Sequence, residues 1–304
     1  ALQGLKLFGN LKAGETLYML NDEFFSDFLK KCLIETSLFN NRYAIDDPDW
    51  IKISKMYHAA KIKEETIENP IPKIVHFIWL GNAIPQFYQD NIEDWKSKNP
   101  SFEFKLWGNE DSEAFMKNKA SYENFAKAES FGIKSDILRY EILLEMGGLY
   151  VDTDFLCTCS EKFKYLHDGW SFYAGICLER SVQLNNGIMA SSPNHPIVKL
   201  CVEEVSKPDL EKTYSNISCD QTRVLFQTGP WLLTRSMLNY LNGDSFKDDI
   251  LILPSQTFHP FPAFYRNEAS LEIINTYLKP HSMACHLWHS SWQPNTKFYM
   301  GETL

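Results

Sequence analysis

Hydrophobic and polar positions divide the chain near residue 70. Before it, Asn21-Asp22-Glu23 reads as a helix cap. Phe24, Phe25, Phe28, Leu29 and Leu33 follow at a spacing that puts them on one helical face. Ile51 to Glu68 mixes Lys, Glu and Ile and also predicts a helix. Asn69-Pro70-Ile71-Pro72 then breaks the pattern, because each proline biases its predecessor away from helix. We divide the chain there into an N-terminal helical extension, 1–70, and a main domain, 71–304.

After Pro72 strands and helices alternate. Ile74 to Trp79 predicts a buried strand, Ile84 to Lys98 a helix ended by Asn99-Pro100, and Phe102 to Trp107 a second strand. Short helices are expected over 111–119 and 122–129. A longer one is expected over 134–146, with Ile133, Ile137, Tyr140 and Leu144 on one face. Gly147-Gly148 stops it, and Leu149-Tyr150-Val151 starts a strand that runs into acidic residues. This order predicts an α/β domain with a largely parallel sheet. On such sheets ligands sit beyond the carboxyl ends of the strands, here the end of 149–151.

Composition narrows the function. The 304 residues are 44% hydrophobic and 23% charged, enough for a sizeable core. The net charge of -9 disfavours binding to a phosphate backbone, so no nucleic-acid partner is expected. No apolar run reaches the roughly 20 residues of a membrane span. The N-terminal stretch lacks a signal-peptide layout. Seven cysteines (Cys32, Cys157, Cys159, Cys177, Cys201, Cys219 and Cys285) form no CxxC pair, which favours scattered buried thiols in a reducing compartment.

Asp152-Thr153-Asp154 is the triplet with the most chemistry. Residues two apart in extended chain point the same way, so both carboxylates can address one point. Two hard oxygen anions there suit Mn²⁺ or Mg²⁺ bound to phosphate oxygens. A bare DxD is also a common solvated turn, but one placed behind an apolar helix, a Gly-Gly break and a buried strand has less reason to be. Asp136 and Arg139, three apart, share a helix face. They read either as an ordinary ion pair or as a carboxylate for sugar hydroxyls beside a guanidinium that orders the site.

Ser135 to Tyr140, then Gly147 to Asp154, resemble the core of the DXD-motif sugar-nucleotide glycosyltransferases of family 32. These include yeast initiating mannosyltransferases and bacterial capsule enzymes. The α-1,4-galactosyltransferases and the large clostridial glucosylating toxins look like relatives. Ile71 to Trp79 is similar to the family's opening strand, and His286 to Trp292 to its closing His…Ser-Trp element. The resemblance covers residues 71–292.

The resemblance implies an α/β fold of GT-A type, with a nucleotide-sugar half and an acceptor half, and retaining transfer of a hexose from a nucleotide diphosphate sugar, UDP-linked by preference. Asp152, Asp154 and His286 would form the metal set, with His289 the competing choice for the imidazole. Asp152, Asp154, Arg139 and Asn186 would be the catalytic group. Trp79, Asp136, Arg139, Tyr150, Asp152, Ser290, Ser291 and Trp292 would bind the donor, with Trp79 stacking on the base and 290–292 closing over the diphosphate. Thr228-Gly229-Pro230-Trp231 resembles a turn on the acceptor side, and Asp220-Gln221 is a weaker acceptor candidate. The acceptor would be a glycan, lipid or protein. The expected working place is a bacterial cytoplasm, or a host cytosol for a secreted effector, with peripheral membrane contact through the N-terminal helices as an option.

Three alternatives stand beside this. One is a glycosyltransferase effector or toxin that modifies a host protein. The second is a GT-A module that binds sugar without turnover. The third, a phosphohydrolase with a nucleophilic Asp, would want its DxD early, followed by a separate Lys and an acidic loop; here the DxD sits mid-chain behind a helix carrying Asp136-Ile137-Leu138-Arg139, which disfavours it.

Overall fold

The computed structural model describes residues 67, 70–177, 183–213, 220–243 and 249–289. The N-terminal extension apart from residues 67 and 70, Ser290, Ser291 and Trp292, and the side chains of Asp220 and Gln221 lie outside what is described.

Eight strands are present among the described residues: β1 (Ile74–Ile78), β2 (Glu103–Trp107), β3 (Gly148–Val151), β4 (Phe155–Cys157), β5 (Phe172–Cys177), β6 (Gln183–Ser191), β7 (Ile250–Leu253) and β8 (Ala284–His286). Six form one sheet in the order β2-β1-β3-β6-β5-β7, and β4 and β8 form a separate pair. The α/β class is as expected, but the sheet is mixed rather than largely parallel. The pairs β1–β2, β1–β3 and β5–β7 are parallel, whereas β6 runs antiparallel to both β3 and β5. The cause is the segment after Cys157. β5 and β6 are antiparallel partners close in sequence, and residues 178–182 are too few for the helical crossover that a parallel pair needs.

The helices are α1 (Gln86–Lys98), α2 (Asn109–Met116), α3 (Tyr122–Lys127), α4 (Phe131–Met146), α5 (Phe163–Gly169), α6 (Pro196–Val205), α7 (Leu210–Thr213), α8 (Asp220–Gln227), α9 (Pro230–Leu241), α10 (Ser255–Phe258) and α11 (Leu271–Tyr277). Strand alternation sorts the core into two layers. Tyr150, Ile250 and Ile252 pack with α4, α6 and α9 on one face, while Leu149, Val151, Leu251 and Leu253 pack with α1, α5 and α10 on the other.

Helix α4 starts three residues before the expected position and has no single apolar face. Residues 136–143 are all buried, charged members included. Such all-round burial erases the helical stripe that a surface helix would show. Gly147 and Gly148 end it for a steric reason. Their φ values are +64° and +98°, and an added Cβ would come within 2.8 Å of the Ser191 carbonyl and 2.6 Å of the Ile74 carbonyl. The five described cysteines are buried and unbridged. No helix of the described residues is long and apolar enough to cross a membrane.

Candidate metal and donor site

The acidic turn is built by β3, which delivers it, and by two elements that grip it. β3 pairs with β6 so that Val151 faces Ile188, and the Asp152 N–H donates to the Gly187 carbonyl (2.7 Å) just beyond. Helix α1 holds the far side. The Asn91 amide donates to the Thr153 and Phe155 carbonyls, both at 2.8 Å, and the Trp95 indole to Phe155 (2.7 Å). These bonds satisfy a buried backbone that would otherwise pay for desolvation, and they fix the direction of both carboxylates.

The β4–β8 pair supplies the third group. Phe155 registers against His286, and the Leu287 N–H donates to the Asp154 carbonyl (3.0 Å). The imidazole lies flat on Phe155, with centroids 4.2 Å apart, and its Nε2 is 3.3 Å from Asp154 Oδ1. Ligand atoms of Asp152, Asp154 and His286 all lie within 4.8 Å of one another. His289 contributes differently. Its backbone N–H donates to Asp154 Oδ2 (2.8 Å), while its ring turns to the Tyr88 hydroxyl (3.1 Å). The structure thus presents the imidazole of His286, not that of His289, to the acidic pair.

Helix α4 adds the second layer. The Arg139 guanidinium sits 3.0 Å from Asp136 Oδ1 and 3.4 Å from Asp152 Oδ1, donates to the Asn186 carbonyl (2.8 Å), and lies over the Tyr150 ring at 4.3 Å. The Tyr150 hydroxyl donates to Asp152 Oδ1 (2.6 Å). Asp136 also accepts from the Asn186 amide (2.9 Å) and from the Thr228 hydroxyl (2.8 Å), so both its oxygens are engaged inside the protein. Asn186 gives a further hydrogen to Tyr140 (3.1 Å). Asp136 and the Asn186 amide group are therefore braces for Arg139 as they stand.

Electrostatics separate the two carboxylates of the motif. Burial would raise both. For Asp154 the neighbouring His286 and the His289 N–H outweigh it and hold the carboxyl well below the usual range. For Asp152 burial prevails, opposed by Arg139 and reinforced by the charge of Asp154. Asp136 is pushed up by burial against the pull of Arg139. The donor set of two carboxylates and one imidazole fits a Mn²⁺ or Mg²⁺ ion. A divalent cation would also relieve the repulsion that raises Asp152.

Asp152, Asp154 and His286 open onto a cleft that also receives Trp79, Asp136, Arg139, Tyr150 and Asn186. Trp79 lies just past the carboxyl end of β1, its indole N–H donated to the Asn82 carbonyl (2.9 Å). Phe131, Leu225 and Arg266, all exposed, line the same cleft and were not singled out in the sequence. Arg266 comes from a short 3-10 turn (Ala263–Glu268) with no motif around it.

Residues 85–166 match the family described as the glycosyltransferase sugar-binding region containing the DXD motif. The chain carries a DXD-type glycosyltransferase region. An uncharacterized glycosyltransferase of Acanthamoeba polyphaga mimivirus is 27% identical over 236 residues, which cover 75% of this chain and 86% of that protein. Inositol phosphoceramide mannosyltransferase 2 of Schizosaccharomyces pombe is 25% identical over 67% of this chain and 61% of its own length. Among solved structures, the PaToxG glycosyltransferase overlaps 69% of this chain and 80% of its own at a TM-score of 0.46 and 19% identity. That overlap is partial, and the assignment of this glycosyltransferase rests on the sequence match. Its mixed α/β architecture agrees with the GT-A expectation.

Proposed function

We propose that this glycosyltransferase is metal-dependent and retaining, and that it moves a hexose from a nucleotide diphosphate sugar, with UDP-linked donors favoured, to a glycan, lipid or protein. The observation that carries the reading is the Asp152–Asp154–His286 group, gathered within 4.8 Å at the carboxyl end of β3 and open to the cleft. A divalent ion, Mn²⁺ by preference, bound there would stabilise the charge that grows on the leaving diphosphate.

The chain's own residues do the rest. Trp79 offers a stacking face for the base, a contact that accepts any nucleobase. Arg139 keeps the Asp152 carboxylate in place and is itself held by Asp136 and the Asn186 carbonyl. The bond from the anomeric carbon to the diphosphate oxygen breaks, and a bond from the same carbon to the acceptor hydroxyl oxygen forms on the same face. The hydroxyl proton passes to the departing diphosphate oxygen. This route needs no protein nucleophile. The carboxylates lining the cleft among the described residues support it. Asp152 and Asp154 belong to the metal set, and Asp136 is enclosed by Arg139, Asn186 and Thr228.

The test is donor turnover. The protein is incubated with UDP-glucose, UDP-galactose, UDP-N-acetylglucosamine and GDP-mannose, with and without Mn²⁺, and released nucleoside diphosphate is measured beside Asp154→Asn. Metal-dependent release from one donor, lost in the variant, supports the proposal and names the sugar. The absence of both release and metal-dependent donor binding would refute it and leave the non-catalytic sugar-binding module.

A further inference from the structure

One histidine next to the site has no assigned role. His259 follows helix α10 and is 2% exposed, yet neither of its ring nitrogens has a hydrogen-bond partner among the described residues. Buried polar atoms are almost always paired, with protein or with an ordered water. Its ring is walled by Phe155, Trp288 and His286, at centroid distances of 5.4, 5.6 and 5.9 Å. Gly175, at the β5 irregularity, closes another side. A Cβ there would lie 3.4 Å from His259 Nδ1.

His286 carries the matching defect. Its Nε2 faces Asp154, whereas its Nδ1 is buried and also unpartnered among the described residues. Three unsatisfied nitrogens therefore lie on two rings 5.9 Å apart. A bridging water adds about 2.9 Å per hydrogen bond, so nitrogens on rings at this centroid distance are near enough for one water to join them.

This matters for the metal set. An imidazole that binds a cation through Nε2 must carry its proton on Nδ1, and that N–H needs an acceptor. We propose that His259 is a positioning residue for His286: through one buried water it accepts the Nδ1–H, which leaves the Nε2 lone pair free for a cation bound beside Asp152 and Asp154. The inference rests on the metal-dependent reading above.

The test compares His259→Phe with His259→Gln in the full chain. Phe keeps the aromatic packing and removes both unsatisfied nitrogens, and Gln keeps a donor and an acceptor. The readouts are Mn²⁺ affinity without donor, by calorimetry, and thermal midpoint. A structural role predicts that Phe leaves Mn²⁺ affinity unchanged and holds or raises the midpoint. Positioning predicts a roughly tenfold or greater loss of Mn²⁺ affinity in Phe at an undiminished midpoint, with Gln recovering a substantial part. The tautomer of metal-loaded His286, read from its ring nitrogen shifts by NMR, should be the Nδ1–H form in wild type and a mixture with weakened binding in Phe. Equal affinities in wild type and Phe would overturn the positioning role and leave the metal reading intact. Wild type that binds no Mn²⁺ would overturn both.

Discussion

Gly187 offers the sharpest test of how tightly Asp152 is placed. It lies on β6 directly beneath the acidic turn. An added Cβ would stand 2.5 Å from Asp152 Oδ2, 2.8 Å from Asn185 Oδ1 and 3.2 Å from the Phe155 ring. Its backbone is not in the left-handed region, so Gly187→Ala meets no conformational barrier of its own. The whole effect is contact. A relaxed carbon–oxygen separation is about 3.3 Å, so the carboxylate must retreat by roughly 0.8 Å. It cannot do so freely, because Tyr150 holds it at 2.6 Å and Arg139 lies 3.4 Å away. Displacements near 1 Å in a catalytic constellation cost about a hundredfold, or about 2.7 kcal/mol of transition-state stabilisation. Overpacking adds about 1–3 kcal/mol of lost stability. Mn²⁺ affinity and donor turnover should therefore fall together in Gly187→Ala, with a modest drop in thermal midpoint. Gly169→Ala, where a Cβ meets nothing within 4 Å, is the control. Turnover and metal affinity within threefold of wild type in Gly187→Ala would refute the argument that Asp152 works from a fixed position.

Arg139→Ala should destabilise the fold as well as the site, since it strands the buried Asp136 carboxylate; breaking such a pair costs about 3–5 kcal/mol, and a urea midpoint shift worth under 1 kcal/mol would contradict it. Trp79→Ala should weaken donor binding by roughly tenfold, the worth of one stacked base, at nearly constant kcat, with Trp79→Phe intermediate; an unchanged donor KM would place the base elsewhere. Acid should unfold the protein early. Burial pushes His76 and His167 from 6.5 down to about 4, and each uses one ring nitrogen as acceptor, from the Trp107 indole and the Tyr173 hydroxyl. Between pH 6.5 and 4 the unfolded chain binds these protons and the folded one does not. Stability is thus full above the unfolded pKa and falls as pH drops, by up to about 1.4 kcal/mol per pH unit per histidine. Urea unfolding at pH 7.5 and 5.5 checks this, and equal stabilities at the two would refute it.

The parts that were legible in the sequence are those set by local rules. β1, β2 and β3 and the helices between them are present with small shifts of their ends. The Gly-Gly stop is explained by two positive φ angles that only glycine tolerates. The DxD triplet and the Asp136–Arg139 spacing could be read because their geometry is short-range. What could not be read depends on distant pairing. The antiparallel β6 pairs with β5 across residues 178–182, which carry no Gly or Asn in the sequence to signal it. The grip of Asn91 and Trp95 on the acidic turn spans 60 residues or more. The choice between His286 and His289 is made by the register of β4 against β8, which puts one ring on Phe155 and leaves the other to Tyr88. Asp136 shows the limit of pattern reading most clearly. The spacing gave its partner but not Thr228 and Asn186, which hydrogen-bond its two oxygens.

The two-stranded pair β4–β8 also bears on how the site comes into being. It stands apart from the main sheet, and one of its strands arrives very late: 135 residues separate Asp154 from His289, the backbone donor it meets. A ribosome adds about 5–20 residues per second, so the central strands and α4 are exposed for many seconds before β8 exists. During that interval the nascent chain carries both carboxylates of the motif without their imidazole or the strand that fixes Asp154. Products that stop short of β8 would accumulate as inert protein with an unfinished site, not as a slower enzyme. Birth of activity is thereby tied to β8, the last strand among the described residues.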